Sequence, residues 1–273
     1  MDKSEVISVL KRSIEVFDTK PLLLDLGEAE RVVFVGDTHT AIEVSSYVVK
    51  EYIDKVDRII FLGDYVDRGY TGVENLVYLL KKMLENQNKI VLLRGNHESP
   101  ITNKYYGFYD EVISKYDDEI YYLFVEMFAK MPYAAVINKY LCVHGGLAKG
   151  LKKVEEINNL PKNDLEPINP IALQLLWNDP REGFEGFLPS PRGDGIYLFG
   201  RDVTEKFLNE NNLIGIIRGH EAVNGVREHF NGKVKTVFSS IYHGYPPAIL
   251  VYNRGNFVKY LIDVPISDQD DFS

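Results

Sequence analysis

Residues 31–39 read Arg31-Val32-Val33-Phe34-Val35-Gly36-Asp37-Thr38-His39. A short β-branched run ending at glycine is the pattern of a strand buried on both faces. Glycine lets the chain turn sharply, so Asp37 and His39 emerge at the carboxyl end of the strand, where open α/β sheets place their ligands. The pattern recurs four times. Arg58-Ile59-Ile60-Phe61-Leu62 leads into Gly63-Asp64-Tyr65-Val66-Asp67-Arg68-Gly69, and Lys89-Ile90-Val91-Leu92-Leu93 into Arg94-Gly95-Asn96-His97-Glu98. Leu141-Cys142-Val143 precedes His144-Gly145-Gly146, and Leu213-Ile214-Gly215-Ile216-Ile217 precedes Arg218-Gly219-His220. Five strand ends therefore carry polar residues toward one sheet edge.

Four of the six histidines, His39, His97, His144 and His220, sit in these motifs. Together with Asp37, Asp64 and Asn96 they offer imidazole nitrogens and carboxylate or amide oxygens, the donors that divalent metals take up. Each motif alone is weak. Gly-Asp is common at turns, Asn-His-Glu can be a helix N-cap, and His-Gly-Gly alone is mostly a turn. Five in order, each after a strand, are not accounted for by turn chemistry.

The surrounding composition narrows the function class. Of 273 residues 45% are hydrophobic, ample for one large core, and the formal net charge is −9. An acidic chain disfavours a nucleic-acid or anionic-membrane surface. The single cysteine, Cys142, lies inside an apolar run and reads as a buried small hydrophobe rather than a nucleophile. Val6, Ile7, Leu10, Ile14 and Phe17 recur at helical spacing with charges between them, unlike a signal peptide. No stretch reaches the roughly 18 apolar residues of a membrane span. A cytoplasmic, reduced setting is expected.

Helical patterns are predicted near 3–17, 42–55, 72–86, 108–131 and 201–211. Strands are predicted at 213–218, 234–239, 248–253 and 257–262, with Asn253-Arg254-Gly255-Asn256 as a hairpin turn. A βαβ-rich half followed by a β-rich half gives an α/β fold of two stacked mixed sheets flanked by helices. Residues 161–170 read as a surface loop and His229 as an exposed residue. Residues 1–266 are expected to form one catalytic domain, and 267–273 an acidic, disordered tail. Tyr105, Tyr106, Phe108 and Tyr109 read as packing residues rather than a binding platform.

Gly-Asp-x-His, Gly-Asp-x-x-Asp-Arg-Gly, Gly-Asn-His-Glu, His-Gly-Gly and Arg-x-His resemble the signature of the PPP family of metal-dependent serine/threonine phosphoprotein phosphatases. Leu175-Leu176-Trp177-Asn178-Asp179-Pro180, Arg192-Gly193 with Tyr197-Leu198-Phe199-Gly200, and Thr236-Val237-Phe238-Ser239-Ser240-Ile241-Tyr242 resemble further family segments. The resemblance runs from about residue 31 to 253, and the compactness is that of a prokaryotic, archaeal-like member. It implies a metallophosphoesterase-like β-sandwich. It also implies two divalent ions, of manganese, iron or zinc, held by Asp37, His39, Asp64, Asn96, His144 and His220, with Asp64 bridging. Arg68, Asn96, His97, Arg192 and Tyr242 would bind phosphate, and His97, oriented by Asp67, would protonate the leaving oxygen. The implied reaction is hydrolysis of phosphoserine and phosphothreonine in proteins, by direct attack of a metal-bridging hydroxide.

Physical chemistry supports these roles independently. A carboxylate has two oxygens and can bridge two cations. Arginine's planar fork matches phosphate bidentately, and a carboxylate beside an imidazole fixes the tautomer and charge that an acid needs. Two departures stand out. Thr40 replaces the family's glycine after His39, a costly exchange if the position needs positive φ. The loop after Ser239, which in the family overhangs the metals and contributes to toxin binding, is shortened here, with His243 following Tyr242. A dinucleoside polyphosphate hydrolase or other small-molecule phosphoesterase shares the first three motifs and is the rival reading. A non-catalytic relative is disfavoured, because all six ligand positions are filled.

Overall fold

A computed structural model describes residues 1–264 of the chain; the expected acidic tail lies outside them. Helix α1 (Lys3–Thr19) opens the chain, its first turn capped by the Asp2 carboxylate. Strands β1 (Leu23–Asp25) and β2 (Arg31–Val35) follow, then α2 (Ile42–Tyr52), β3 (Arg58–Phe61), α3 (Gly72–Glu85) and β4 (Ile90–Leu92). Helices α4 (Pro100–Tyr106), α5 (Phe108–Lys115) and α6 (Asp118–Lys130) lead to the hairpin of β5 (Ala134–Ile137) and β6 (Tyr140–Val143). Next come α7 (Pro170–Trp177), short strands β7 (Asp179–Pro180), β8 (Phe187–Pro189) and β9 (Tyr197–Phe199), and α8 (Arg201–Glu210). Strands β10 (Gly215–Arg218), β11 (Val226–His229), β12 (Val234–Val237), β13 (Ala248–Asn253) and β14 (Asn256–Leu261) complete the described chain.

Two mixed sheets stack face to face. One has the order β14-β13-β2-β3-β4, with β2, β3 and β4 parallel and β13 antiparallel to β2. The other runs β1-β5-β6-β10-β12-β11, with β6, β10 and β12 parallel. The alternation along β2 shows why its run carries no polar residue after Arg31. Val33 and Val35 pack with Leu10, Val48, Leu76 and Phe124 of the helical layer. Val32 and Phe34 face the other way, meeting Cys142, Ile217 and Val237 of the second sheet. Helices α7 and α8 cover that sheet's far side through Leu175, Leu176, Phe207 and Leu208. Each fully buried aliphatic or aromatic side chain contributes roughly 1.5–3 kcal/mol, so the central strands β2, β3, β10 and β12 are held from both faces, whereas the edge strand β14 is largely exposed.

The sheets converge where β2 and β12 end, through a bridge between Asp37 and Phe238. A β-carbon on Gly36 would collide with the Val237 carbonyl, so only glycine lets the two strand ends approach so closely.

Several details depart from the sequence reading. The helix expected over 108–131 is two helices. Tyr116 (φ −141, ψ −116) breaks it, and the Asp117 carboxylate caps α6 by accepting from the Ile120 N–H. Helices α4 and α7, each starting at proline, and the small sheet β7-β9-β8 have no counterpart in the periodicity. His229 is half-buried rather than exposed, on strand β11 at the sheet edge. The Asn253–Asn256 hairpin forms as expected, with left-handed Arg254 and Gly255.

Candidate active site

Loops following β2, β3, β4, β6 and β10 meet at one cleft of about 180 Å³, whose walls include Asp37, His39, Asp64, Arg68, Asn96, His97, Arg192 and His220. The backbone there is strained. His39, Asp64, Asp67, Arg68 and His220 all take left-handed conformations, with φ from 50° to 71°. Such residues cost on the order of 1 kcal/mol each and collect where a site needs particular side-chain directions. Hydrogen bonds hold them. The Thr38 and His39 N–H groups donate to the Asp64 carbonyl at 3.1 and 2.8 Å. Glu98 accepts from the N–H groups of Asp64, Tyr65 and Gly95 at 2.7–2.9 Å. Thr40 itself is not left-handed; His39 carries the positive φ instead, so a β-branched residue fits there without strain.

Two groups of donor atoms form, His39 with Asp64 and His97, and Asp64 with His144 and His220, all buried. Asp64 belongs to both. His39 and His144 point Nδ1 at the carbonyls of Val66 and Leu62, each at 2.8 Å, which leaves Nε2 of each for the donor groups around Asp64. His144 Nε2 lies 2.8 Å from Asn96 Oδ1 and 3.2 Å from Asp64 Oδ2. Asp37 accepts from the His220 N–H at 2.8 Å. Burial and then Asp64 push the Asp37 carboxyl up to about 6, while burial and His97 bring His39 down to about 3. His220 Nε2 is buried with no hydrogen-bond partner among the described residues. An orphaned imidazole nitrogen, crowded carboxylates and an all-oxygen-and-nitrogen donor set are what divalent cations fit.

His97, though within the first donor group, differs from the other rings in having a carboxylate, Asp67, behind it. The ring Nδ1 and Asp67 Oδ2 are 2.7 Å apart, and Asp67 also accepts from the Asn103 amide and the Phe108 N–H. Burial opposes the charged ring, but Asp64 and Asp67 outweigh it and raise its pKa. His97 is thus prepared to hold a proton facing the cleft.

Arg192 donates Nε to Asp179 at 2.5 Å, and the opposite oxygen of Asp179 accepts from the fully buried Arg218 at 2.6 Å. Burial would raise the Asp179 pKa, but Arg218, His220 and Arg192 hold it well below the usual carboxylate range. A depressed carboxyl contributes stability above its unfolded pKa of about 4, lost as pH falls further. Asp179→Asn should therefore lower Tm at pH 7, with the deficit shrinking below pH about 4. Thermal unfolding at both pH values tests this, and an equal deficit at both would show that the charge is irrelevant.

Of the eleven residues given metal, catalytic or phosphate roles from the sequence, the structure places eight on the cleft wall: Asp37, His39, Asp64, Arg68, Asn96, His97, Arg192 and His220. Two further ones, His144 and Asp67, stand directly behind them. Tyr242 is the exception. Its hydroxyl bonds to that of Thr40 and the residue is absent from the walls, where His243 and Phe238 stand instead. Tyr106 and Trp177 also line the cleft. The Arg68 guanidinium lies 4.5 Å from the Tyr106 ring centroid, and Trp177 meets His220 edge-on at 5.4 Å. Phe108 is core and Tyr109 packs against it as expected, but Tyr105 and Tyr106 are exposed rather than packed.

A family model described as "Calcineurin-like phosphoesterase" matches residues 30–224. The serine/threonine-protein phosphatase 4 catalytic subunit of Kluyveromyces lactis is 38% identical over 214 residues, covering 77% of this chain and 68% of its own. A protein serine/threonine phosphatase structure from Saccharomyces cerevisiae, with similarity to human PP5, superposes with a TM-score of 0.89 at 28% identity, covering 98% and 92% of the two chains. A cold-active protein-tyrosine phosphatase of a psychrophilic Shewanella shares the fold at 18% identity, with a TM-score of 0.65 over 90% of this chain and 82% of that one.

Proposed function

The chain belongs to the calcineurin-like phosphoesterase family, among its serine/threonine-protein phosphatases, and on that premise we propose that it hydrolyses phosphoserine and phosphothreonine in proteins. The observation that carries this reading is Asp64, shared by two buried donor groups in a cleft that two arginines also line. We propose Asp37, His39, Asp64, Asn96, His144 and His220 as metal ligands, within one catalytic unit over residues 1–266. Two divalent ions held there, with manganese the first choice in vitro, would acidify water and offset phosphate charge. Arg68 and Arg192 grip the phosphate oxygens and stabilise the charge that builds on them, with Asp179 steadying Arg192. His97, oriented by Asp67, delivers a proton to the leaving oxygen. Among the described residues no helix is long and apolar enough to cross a membrane.

The dinucleoside polyphosphate alternative has only the shared core in its favour. Parallel turnover of a phosphothreonine peptide, a phosphotyrosine peptide and diadenosine tetraphosphate, with manganese present, tests the reading. Preference for the phosphothreonine peptide is expected; preference for diadenosine tetraphosphate would overturn it.

The shortened loop yields a separate prediction. Only seven residues, Ile241 to Pro247, separate Ser240 from Ala248. The loop is tied at both ends, by the Tyr242–Thr40 bond and by the Pro247 carbonyl accepting from the Ile262 N–H at 2.8 Å. Two prolines stiffen it further. A short, tied loop cannot close over a bulky ligand, so okadaic-acid-like and microcystin-like toxins should inhibit weakly or not at all. Inorganic phosphate should still compete. Nanomolar inhibition in a toxin titration would contradict this.

A further inference from the structure

The hydroxyls of Thr40 and Tyr242, 202 residues apart in sequence, share a hydrogen bond. They are closely enclosed. A β-carbon on Gly69 would collide with both, and the Thr40 carbonyl accepts from the Thr71 hydroxyl at 2.8 Å. The loop after β12 is thereby latched to the loop after β2, one residue beyond His39. Glycine, which the family resemblance leads one to expect at position 40, has no hydroxyl to supply this bond.

The latch decides which side chain reaches the cleft. With its hydroxyl engaged, Tyr242 stays half-buried and off the cleft wall. The chain then reverses through two left-handed residues, His243 (φ 74) and Gly244 (φ 71). A left-handed histidine costs on the order of 1 kcal/mol, so surrounding contacts must hold it. Phe238 supplies them, meeting His243 and Tyr245 edge-on with ring centroids at 5.8 and 6.5 Å. His243 thus stands at the exposed rim, sharing the cleft with Arg68, His97 and Tyr106.

We propose that His243 is a specificity-determining residue that contacts the peptide flanking the phosphorylated side chain, and that Thr40 and Tyr242 are the positioning residues that aim it. The proposal rests on the phosphoprotein phosphatase reading. The arginines and the donor groups account for the phosphate oxygens, so the rest of the wall meets whatever the phosphate is attached to. His243 lies near enough to Arg68 and His97 to feel their charge, and His97 is the residue proposed above to meet the leaving oxygen. Burial, then Arg68, lowers the His243 pKa, which favours the neutral ring. A neutral imidazole carries one donor and one acceptor, matching the N–H and C=O of an extended peptide. A small aryl phosphate presents neither.

The readout is the ratio of kcat/KM for a phosphothreonine peptide to that for para-nitrophenyl phosphate, measured with the manganese-loaded enzyme. His243→Ala should lower this ratio about tenfold, the loss of roughly one hydrogen bond, acting through KM. His243→Asn keeps a donor and an acceptor and tolerates left-handed backbone, and should recover most of it. Thr40→Val and Tyr242→Phe should each lower the ratio, the double variant no more than either alone, and Thr40→Ser should restore it. Calorimetry supplies a readout without turnover: His243→Ala should weaken binding of a phosphonate-bearing peptide about tenfold while sparing inorganic phosphate. An unchanged ratio, or equal losses for both substrates, overturns the proposal while leaving the phosphatase reading in place. A wild-type protein that turns over no phosphopeptide overturns both.

Discussion

Asp64→Asn will cost more activity than loss of any residue serving a single donor group, and will lower the bound divalent metal. The substitution keeps the side chain's shape and the Oδ1 acceptor for the His97 N–H, 2.9 Å away. It removes the negative charge common to the His39 and His144–His220 groups. Loss of a partner that merely supports a ligand costs about 10–100-fold, and loss of a carboxylate that would serve both donor groups should exceed that. His39→Asn and His220→Asn, each confined to one group, are the comparisons. Elemental analysis and turnover of the three proteins decide the matter. Retention of full metal content by Asp64→Asn, or activity surviving chelator, would falsify the shared-carboxylate arrangement.

The donor set was legible in the sequence because its chemistry permits few residue types and each follows a strand whose burial is written in an unbroken apolar run. Val32 to Val35 could be read as buried on both faces before any partner was known, and so could Ile59 to Leu62. The arginine pair was legible only in part. Arg192 came from resemblance, whereas the network that steadies it through Asp179 and buried Arg218 is tertiary and has no spacing signature. Helices α4 and α7 were missed because seven or eight residues span barely two turns, too few for a 3.6-residue period to declare itself.

Tyr106 and His243 escaped for a different reason. Tyr106 ends α4 before left-handed Gly107, and that reversal, rather than helix periodicity, leaves the ring on Arg68 and His97. His243 faces the cleft through its own left-handed turn and a bond made by Thr40 two hundred residues earlier. Such directions depend on which loops meet, not on local pattern. Proline at the start of α4 and of α7, with Asn169 before the latter accepting from the Ile171 and Ala172 N–H groups, and Asp117 before α6 are local signals that periodicity does not carry.

His97→Asn should reduce turnover of a phosphothreonine peptide about 10²–10⁴-fold, the usual contribution of a positioned acid, while leaving bound metal nearly unchanged. The geometry separates the two roles that His97 could play. Its Nε2 stands 3.9 Å from Asp64 Oδ2, within the first donor group. Its Nδ1, however, is bound to Asp67 at 2.7 Å, and Asp67 is locked by Asn103 and the Phe108 N–H. That clamp, together with the raised pKa, favours an imidazolium that gives its proton to a poor leaving group. An alkoxide leaving from serine or threonine needs that proton, whereas a nitrophenolate hardly does. The loss should therefore shrink greatly for para-nitrophenyl phosphate. Asp67→Asn should reproduce the same selectivity in milder form, because the ring keeps its place but loses the charge that holds its proton. Paired kinetics on the two substrates, with metal analysis of each variant, are the measurement. Equal losses on both substrates together with lost metal would make His97 a ligand instead of an acid.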